Sequence, residues 1–313
     1  MDPEGYSHLG AADRGLAWFA RRPKLIVTLL VVLTAGIGWA YLTIMVAVMV
    51  PDMDMAALGP GMGIFNAFNN FQGLDAAARA ALVALCSPGT AASFGMPATG
   101  SWGIIDLTLV FLMWVMMAFA MMLPTAAPML ATYADLAQKA RAKGEEAAPV
   151  VVLGLGYLSV WSVFGVVATF AQWGLTELRV MTPMMAPASL VLAGTTLMAA
   201  GIYQFTPAKN ACLTRCQTPL PFFYTNWRGD FPGVFRLGVD QGLLCFGCCW
   251  ALMTVMFAVG VMNIVWIAVL GVLMSIEKMV INPWIPRAIG VTFLVWGAAV
   301  LLMAEPIRRA IGL

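Results

Sequence analysis

Seven stretches of almost unbroken apolar sequence constrain this chain more than any other feature: residues 25–50, 102–130, 149–173, 183–204, 241–259, 262–276 and 285–304. A backbone in lipid must satisfy its own N–H and C=O groups, so apolar runs of about 20 residues are read as spanning helices. Only 10% of the residues are charged, against about 25% in soluble domains. The expected fold is all-α, a polytopic transmembrane helix bundle. Its expected parts are a cytoplasmic segment at 1–24 and one helical domain at 25–313, with an outer loop at 51–101. The division between the fifth and sixth runs is the weakest, because only Gly260-Val261-Met262-Asn263 separates them. A re-entrant pair within 241–277 would leave six spans. The first run follows Arg21, Arg22 and Lys24, as a signal peptide would, but its length is about twice that of a signal h-region and reads as a retained span.

Lysine and arginine in the loops orient the bundle. Arg14, Arg21, Arg22, Lys24, Lys139, Arg141, Lys143, Lys209, Arg215, Arg228, Arg236, Lys278 and Arg287 fall on the side of the N-terminus. Arg79, Arg179, Arg308 and Arg309 fall on the other. The bias places the N-terminus in the cytoplasm of a bacterial inner membrane, although Arg308 and Arg309 fit the six-span alternative better. In the outer loop, Asp52, Asp54 and Asp75 accompany an expected amphipathic helix at 74–85, read as a lid.

The single histidine, His8, lies in the polar N-terminal stretch. No bis-histidine haem, His-rich zinc site or His-Glu di-iron site can therefore be built within the bundle from this chain. There is no G-x-x-x-x-G-K-[ST] phosphate loop, no H-E-x-x-H helix and no possible Ser-His-Asp set in the bundle, which removes ATP-driven pumps and ordinary hydrolases. A net charge of +2 offers nothing to nucleic acid.

Sulfur is what remains. The chain holds 23 methionines, and Met113, Met117 and Met121 recur every four residues, a stripe about 80° wide on one helix face. Asp106 falls in the same arc, toward the outer end. Thioethers select Cu(I) over hard ions, so a methionine ladder headed by a carboxylate suits a conduction path; methionine also serves as a flexible filler of cores. Met45 and Met49, Met181 and Met184, and Met253 and Met256 repeat helical spacing. Beyond Met122, Pro124 and Pro128 deprive carbonyls near Ala120 and Pro124 of their helical partners, either breaking a helix beside a cavity or marking its inner end.

Five of six cysteines form two groups, Cys212 with Cys216 and Cys245 with Cys248 and Cys249. Thr206-Pro207 reads as an N-cap and first turn, making 207–216 helical and setting Cys212 and Cys216 on one face about 6 Å apart at Cβ. That is too far for a relaxed disulfide, with Cβ atoms about 3.8 Å apart, but comfortable for two ligands of one metal. Cys245 and Cys249 share the spacing. Both groups are expected at the cytoplasmic face, converging on one thiolate site, while Cys86 stands apart in the outer loop. The polar residues within the apolar runs, Gln204, Asn263 and the adjacent Glu277 and Lys278, are candidates for function or for salt-bridging at a span end. Trp18, Trp102, Trp173, Trp227 and Trp284 read as belt anchors.

The string Tyr203-Gln204-Phe205-Thr206-Pro207-Ala208-Lys209, followed by Cys212, Cys216 and Pro219 and then by Gly242 through Met253, resembles the bacterial family described as predicted metal-binding integral membrane proteins, a domain of unknown function. The resemblance extends to Trp114 through Pro124, to Gly260 through Asn263 and to Glu277-Lys278, over roughly residues 102–300. It implies a metal-binding role in the inner membrane without naming a reaction.

Together these residues point to a protein that binds and moves or delivers Cu(I), with lipid, the metal ion and a metallochaperone or larger membrane complex as partners. Zinc would also suit a site of four thiolates. The competing classes are an accessory or assembly subunit of a larger complex and, as the one enzyme reading, a thiol-disulfide oxidoreductase using Cys245 and Cys248.

Overall fold

The computed structural model describes residues 22–51, 53–68, 102–182 and 185–305. His8, Cys86, Asp52, Asp75, Met184, Arg308, Arg309 and the expected helix at 74–85 lie outside the described residues.

Among the described residues the chain is all-helical, apart from one isolated bridge between Met181 and Pro187. Ten α-helices follow in order: α1 Pro23–Met49, α2 Ile104–Ala142, α3 Val150–Glu177, α4 Leu190–Tyr203, α5 Pro207–Gln217, α6 Pro219–Thr225, α7 Phe231–Thr254, α8 Met256–Val259, α9 Ile264–Met279 and α10 Trp284–Met303. Two 3-10 helices, Met55–Leu58 and Met62–Phe68, follow α1. Each of the seven apolar runs becomes a helix. Five helical segments are long and apolar enough to cross a membrane: α1, α2, α3, α7 continued by α8, and α10. The fourth and sixth runs form helices of only 14 and 16 residues.

Local chemistry explains the boundaries. Asp230 caps α7 by accepting from the Gly233 N–H at 3.1 Å, and Pro232 occupies the first turn. The helix thus starts ten residues before the apolar run, because Arg236 and Asp240 limit the run without breaking the helix. Asn263, a candidate for function in the sequence, caps α9: its side chain accepts from the Trp266 N–H at 3.2 Å and donates to the Pro60 and Val259 carbonyls. Its role is to end one hairpin and tie down the segment after α1.

Helix α2 neither breaks nor ends at its prolines but runs 39 residues through both. Pro124 has no N–H for the Ala120 carbonyl, and the Trp39 indole of α1 donates to that oxygen at 3.1 Å. Helices α3 and α7 run parallel with their backbones in contact, since a Cβ on Gly156 would collide with the Phe235 carbonyl and one on Gly238 with that of Leu153. Small residues permit this approach, and close packing is what holds helices together in lipid.

The bundle is therefore uneven in depth. Helices α2, α3 and α7 run long, whereas α9 returns only far enough for its last turn to meet Cys245, midway along the α7–α8 segment. Helix α5 lies against α7 at this level, where α4 and α9 stop.

Candidate metal centre

Two cysteine groups on different helices meet here. Cys248 Sγ on α7 stands 3.9 Å from Cys216 Sγ on α5 and 3.3 Å from Cys249 Sγ. Cys212 packs its sulfur onto Gly247, where an added Cβ would come within 2.6 Å of it. Thr206 caps α5 through the Lys209 N–H, and Pro207 opens its first turn, as the sequence predicts. All five described cysteines are free thiols; Cys245, Cys248 and Cys249 are buried, and Cys212 and Cys216 partly so. Cys245, Cys248 and Cys249 lie midway along the segment formed by α7 and α8, because the helix begins at Phe231.

Cys245 anchors a polar cluster. Its sulfur is 2.9 Å from Lys278 Nζ and 3.0 Å from the Tyr157 hydroxyl. Lys278 also donates to Thr125 Oγ1 at 2.7 Å. Thr125 and Tyr157 in turn donate to the Met122 carbonyl, at 2.8 and 3.2 Å. The segment between the two prolines of α2 thus forms one wall of the site.

Glu277, next to Lys278, faces another way. Lys209 grips both its carboxylate oxygens, at 2.9 and 2.8 Å, with the two side chains 0% and 1% exposed. Lys209 is therefore a buried ion-pair partner and not the loop charge that orientation counting makes it. Nor do Glu277 and Lys278 act as a pair, since adjacent helical residues point about 100° apart. Gln217 donates to the Glu277 carbonyl at 2.7 Å and locks α5 to the end of α9.

Sequence reasoning passes over Tyr157 and Thr125, and it sets Lys209 with Arg215 beside the thiols without finding its partner Glu277. A signal for Lys209 exists: with Cys212 and Cys216 it falls at i, i+3 and i+7, the inward stripe of α5. Tyr157 and Thr125 carry no comparable mark, being isolated polar residues in apolar helices.

Met113, Met117 and Met121 line the inner face of α2, each at most 1% exposed, while Met116 is only partly buried. Met121 rests on Gly271 of α9. Met45, Met49, Met181, Met253 and Met256 are buried as well. Asp106 does not head the stripe as a free carboxylate; it accepts from the Gly103 N–H at 2.8 Å and caps α2. Gln204 is 1% exposed, and neither of its amide atoms has a hydrogen-bond partner among the described residues. Beside α5, a cavity of about 670 Å³ is lined by Arg215, Phe222, Asn226, Asp240 and Leu244.

Among the described residues, no group of three or more His, Cys, Asp or Glu side chains is arranged to hold a metal ion. Cys248 is the meeting point of two sulfur contacts, with Cys216 and with Cys249. Two sulfurs sharing one ion at about 2.3 Å each stand roughly 3.8–4.6 Å apart, which the Cys216–Cys248 separation already meets. Paired thiols suit a soft ion content with few donors, whereas structural zinc takes a closed shell of four.

A helical chain with membrane-length apolar segments and a buried, hydrogen-bonded group of thiols defines an apolar bundle built around a soft-donor site. The chain belongs to the PpoB2 family, described as copper chaperones, whose model matches residues 111–300. That match includes every cysteine of the cluster, Tyr157, Thr125, Lys209, Glu277 and Lys278, and leaves α1 outside. No curated protein and no solved structure matches the chain.

Proposed function

We propose that the protein takes up Cu(I) as cargo on the thiols of α5 and α7 and delivers it onward from within the membrane. The observation that carries this reading is the convergence of Cys216, Cys248 and Cys249 beside Cys245, whose sulfur already faces a fixed cation. Cys212 and Cys216, the two partly exposed thiols of the cluster, would pass the ion to or from a partner, a metallochaperone or a larger membrane complex. The buried stripe of Met113, Met117 and Met121 would connect this site with the start of α2, where Asp106 serves as a cap. The Lys and Arg bias favours a bacterial inner membrane with the N-terminus in the cytoplasm, even with Lys209 removed from the count.

Metal content tests the reading. Protein purified anaerobically and loaded with Cu(I) should hold near-stoichiometric copper by plasma mass spectrometry. A variant with Cys245, Cys248 and Cys249 changed to Ser should hold none. Zinc in place of copper would redirect the assignment, and no metal in either sample would end it in favour of a redox or accessory role.

A further inference from the structure

Lys278 places a cation against sulfur inside the bundle, with no carboxylate in ion-pair contact among the described residues. Its Nζ meets Cys245 Sγ at 2.9 Å and Thr125 Oγ1 at 2.7 Å. Glu277, the nearest acid in sequence, is held through both oxygens by Lys209. Glu277 is thus engaged by Lys209, and among the described residues Lys278 has no carboxylate in ion-pair contact, so its ammonium faces the thiol site. A charge away from water is costly unless something of opposite sign stands beside it. Here the neighbouring group is a thiol that becomes negative on binding metal.

We propose that Lys278 is the built-in counter-ion of the loaded site and determines which ion the thiols keep. The inference rests on the copper reading above and adds the reason for the choice of metal. Each thiol that binds gives up its proton. One Cu(I) on Cys245 and one further thiolate would carry a single negative charge, which the Lys278 ammonium, at hydrogen-bond distance from Cys245, cancels. A divalent ion on the same two thiolates is already neutral, and Lys278 then repels it. Neutrality for a divalent ion would need a third thiolate in the shell, and among the described residues no three His, Cys, Asp or Glu side chains are arranged to hold one ion. Lys278 is thus a positioning residue: it acts through Cys245 and the net charge of the site without binding the ion.

The test compares wild type, Lys278→Met and Lys278→Arg, purified whole and anaerobically in detergent, with helicity checked by circular dichroism. Each is titrated with Cu(I) against a chromophoric chelator and, separately, with Zn(II) against a zinc dye. Lys278→Met should weaken Cu(I) about tenfold or more, as expected when one member of a buried charge pair is truncated, and leave Zn(II) unchanged or tighter. Lys278→Arg, which keeps the charge, should keep the preference for Cu(I). Unchanged Cu(I) affinity in Lys278→Met would overturn the proposal. So would equal loss of both ions without rescue by Lys278→Arg, since that pattern marks a merely structural side chain. Wild type that takes no Cu(I) refutes the copper reading itself, before any variant is compared.

Discussion

Met117 and Cys248 are both buried sulfur atoms, at 0% and 1% exposure, and their surroundings have little else in common. Met117 lies in an apolar core between Trp114 and Met121 on one helix face. Cys248 touches two other thiols and the Cys245 carbonyl, within reach of a polar cluster drawn from α2, α3, α5, α7 and α9. A thioether has no proton to place and carries no charge, so it can stand anywhere in an apolar interior. A thiol that is to become a ligand needs neighbours that tolerate its charge. The stripe can be built by one helix; the cluster requires five.

The largest effect should separate these regions by their frames. Glu277→Gln leaves the Lys209 ammonium buried opposite a neutral group, and unfolding in detergent should show a loss of about 3–5 kcal/mol, the usual result of breaking a buried pair from one side. A loss under about 1 kcal/mol would mean that water reaches the pair. A smaller effect is expected in the stripe. Met117→Leu preserves volume and should change stability by less than about 1.5 kcal/mol, yet slow copper entry into protein-loaded vesicles, because the branched carbon side chain offers no lone pair. Equal copper uptake would reduce the stripe to packing. The smallest change is Tyr157→Phe, which removes one hydroxyl between Cys245 and the Met122 carbonyl at a cost of about 1 kcal/mol. It should alter the alkylation rate of Cys245 and leave that of Cys212 as it was; identical shifts at both would indicate a general loosening.

How much of this was legible depends on the range of the interaction. Helix α5 could be read in full, from Thr206-Pro207 to the facing of Cys212 and Cys216, because caps and periodicity are local. The sequence also locates the missing carbonyl partners around Pro124, but not Trp39, which lies 81 residues away from Ala120. Hydropathy misplaces the start of α7, since two charged residues end an apolar run long before they end a helix. Asp106 and Asn263 show the converse. Each is a polar residue at an apolar boundary, and each is occupied by a helix terminus. The division of labour between Glu277 and Lys278 could not be read at all, because it is decided by which helix each one faces.

The bond from Trp39 to the Ala120 carbonyl also has a bearing on biogenesis. Helix α1 emerges from synthesis before α2, so its indole is already in the membrane when α2 arrives with a carbonyl that proline has left without a donor. An orphaned backbone carbonyl in hydrocarbon is costly, and the waiting Trp39 removes that cost as the second helix enters. The first helix, although it contributes no sulfur to the thiol cluster, would thereby act as an intramolecular insertion partner for the helix that walls the site. A chain made without it would have to insert α2 with that carbonyl bare.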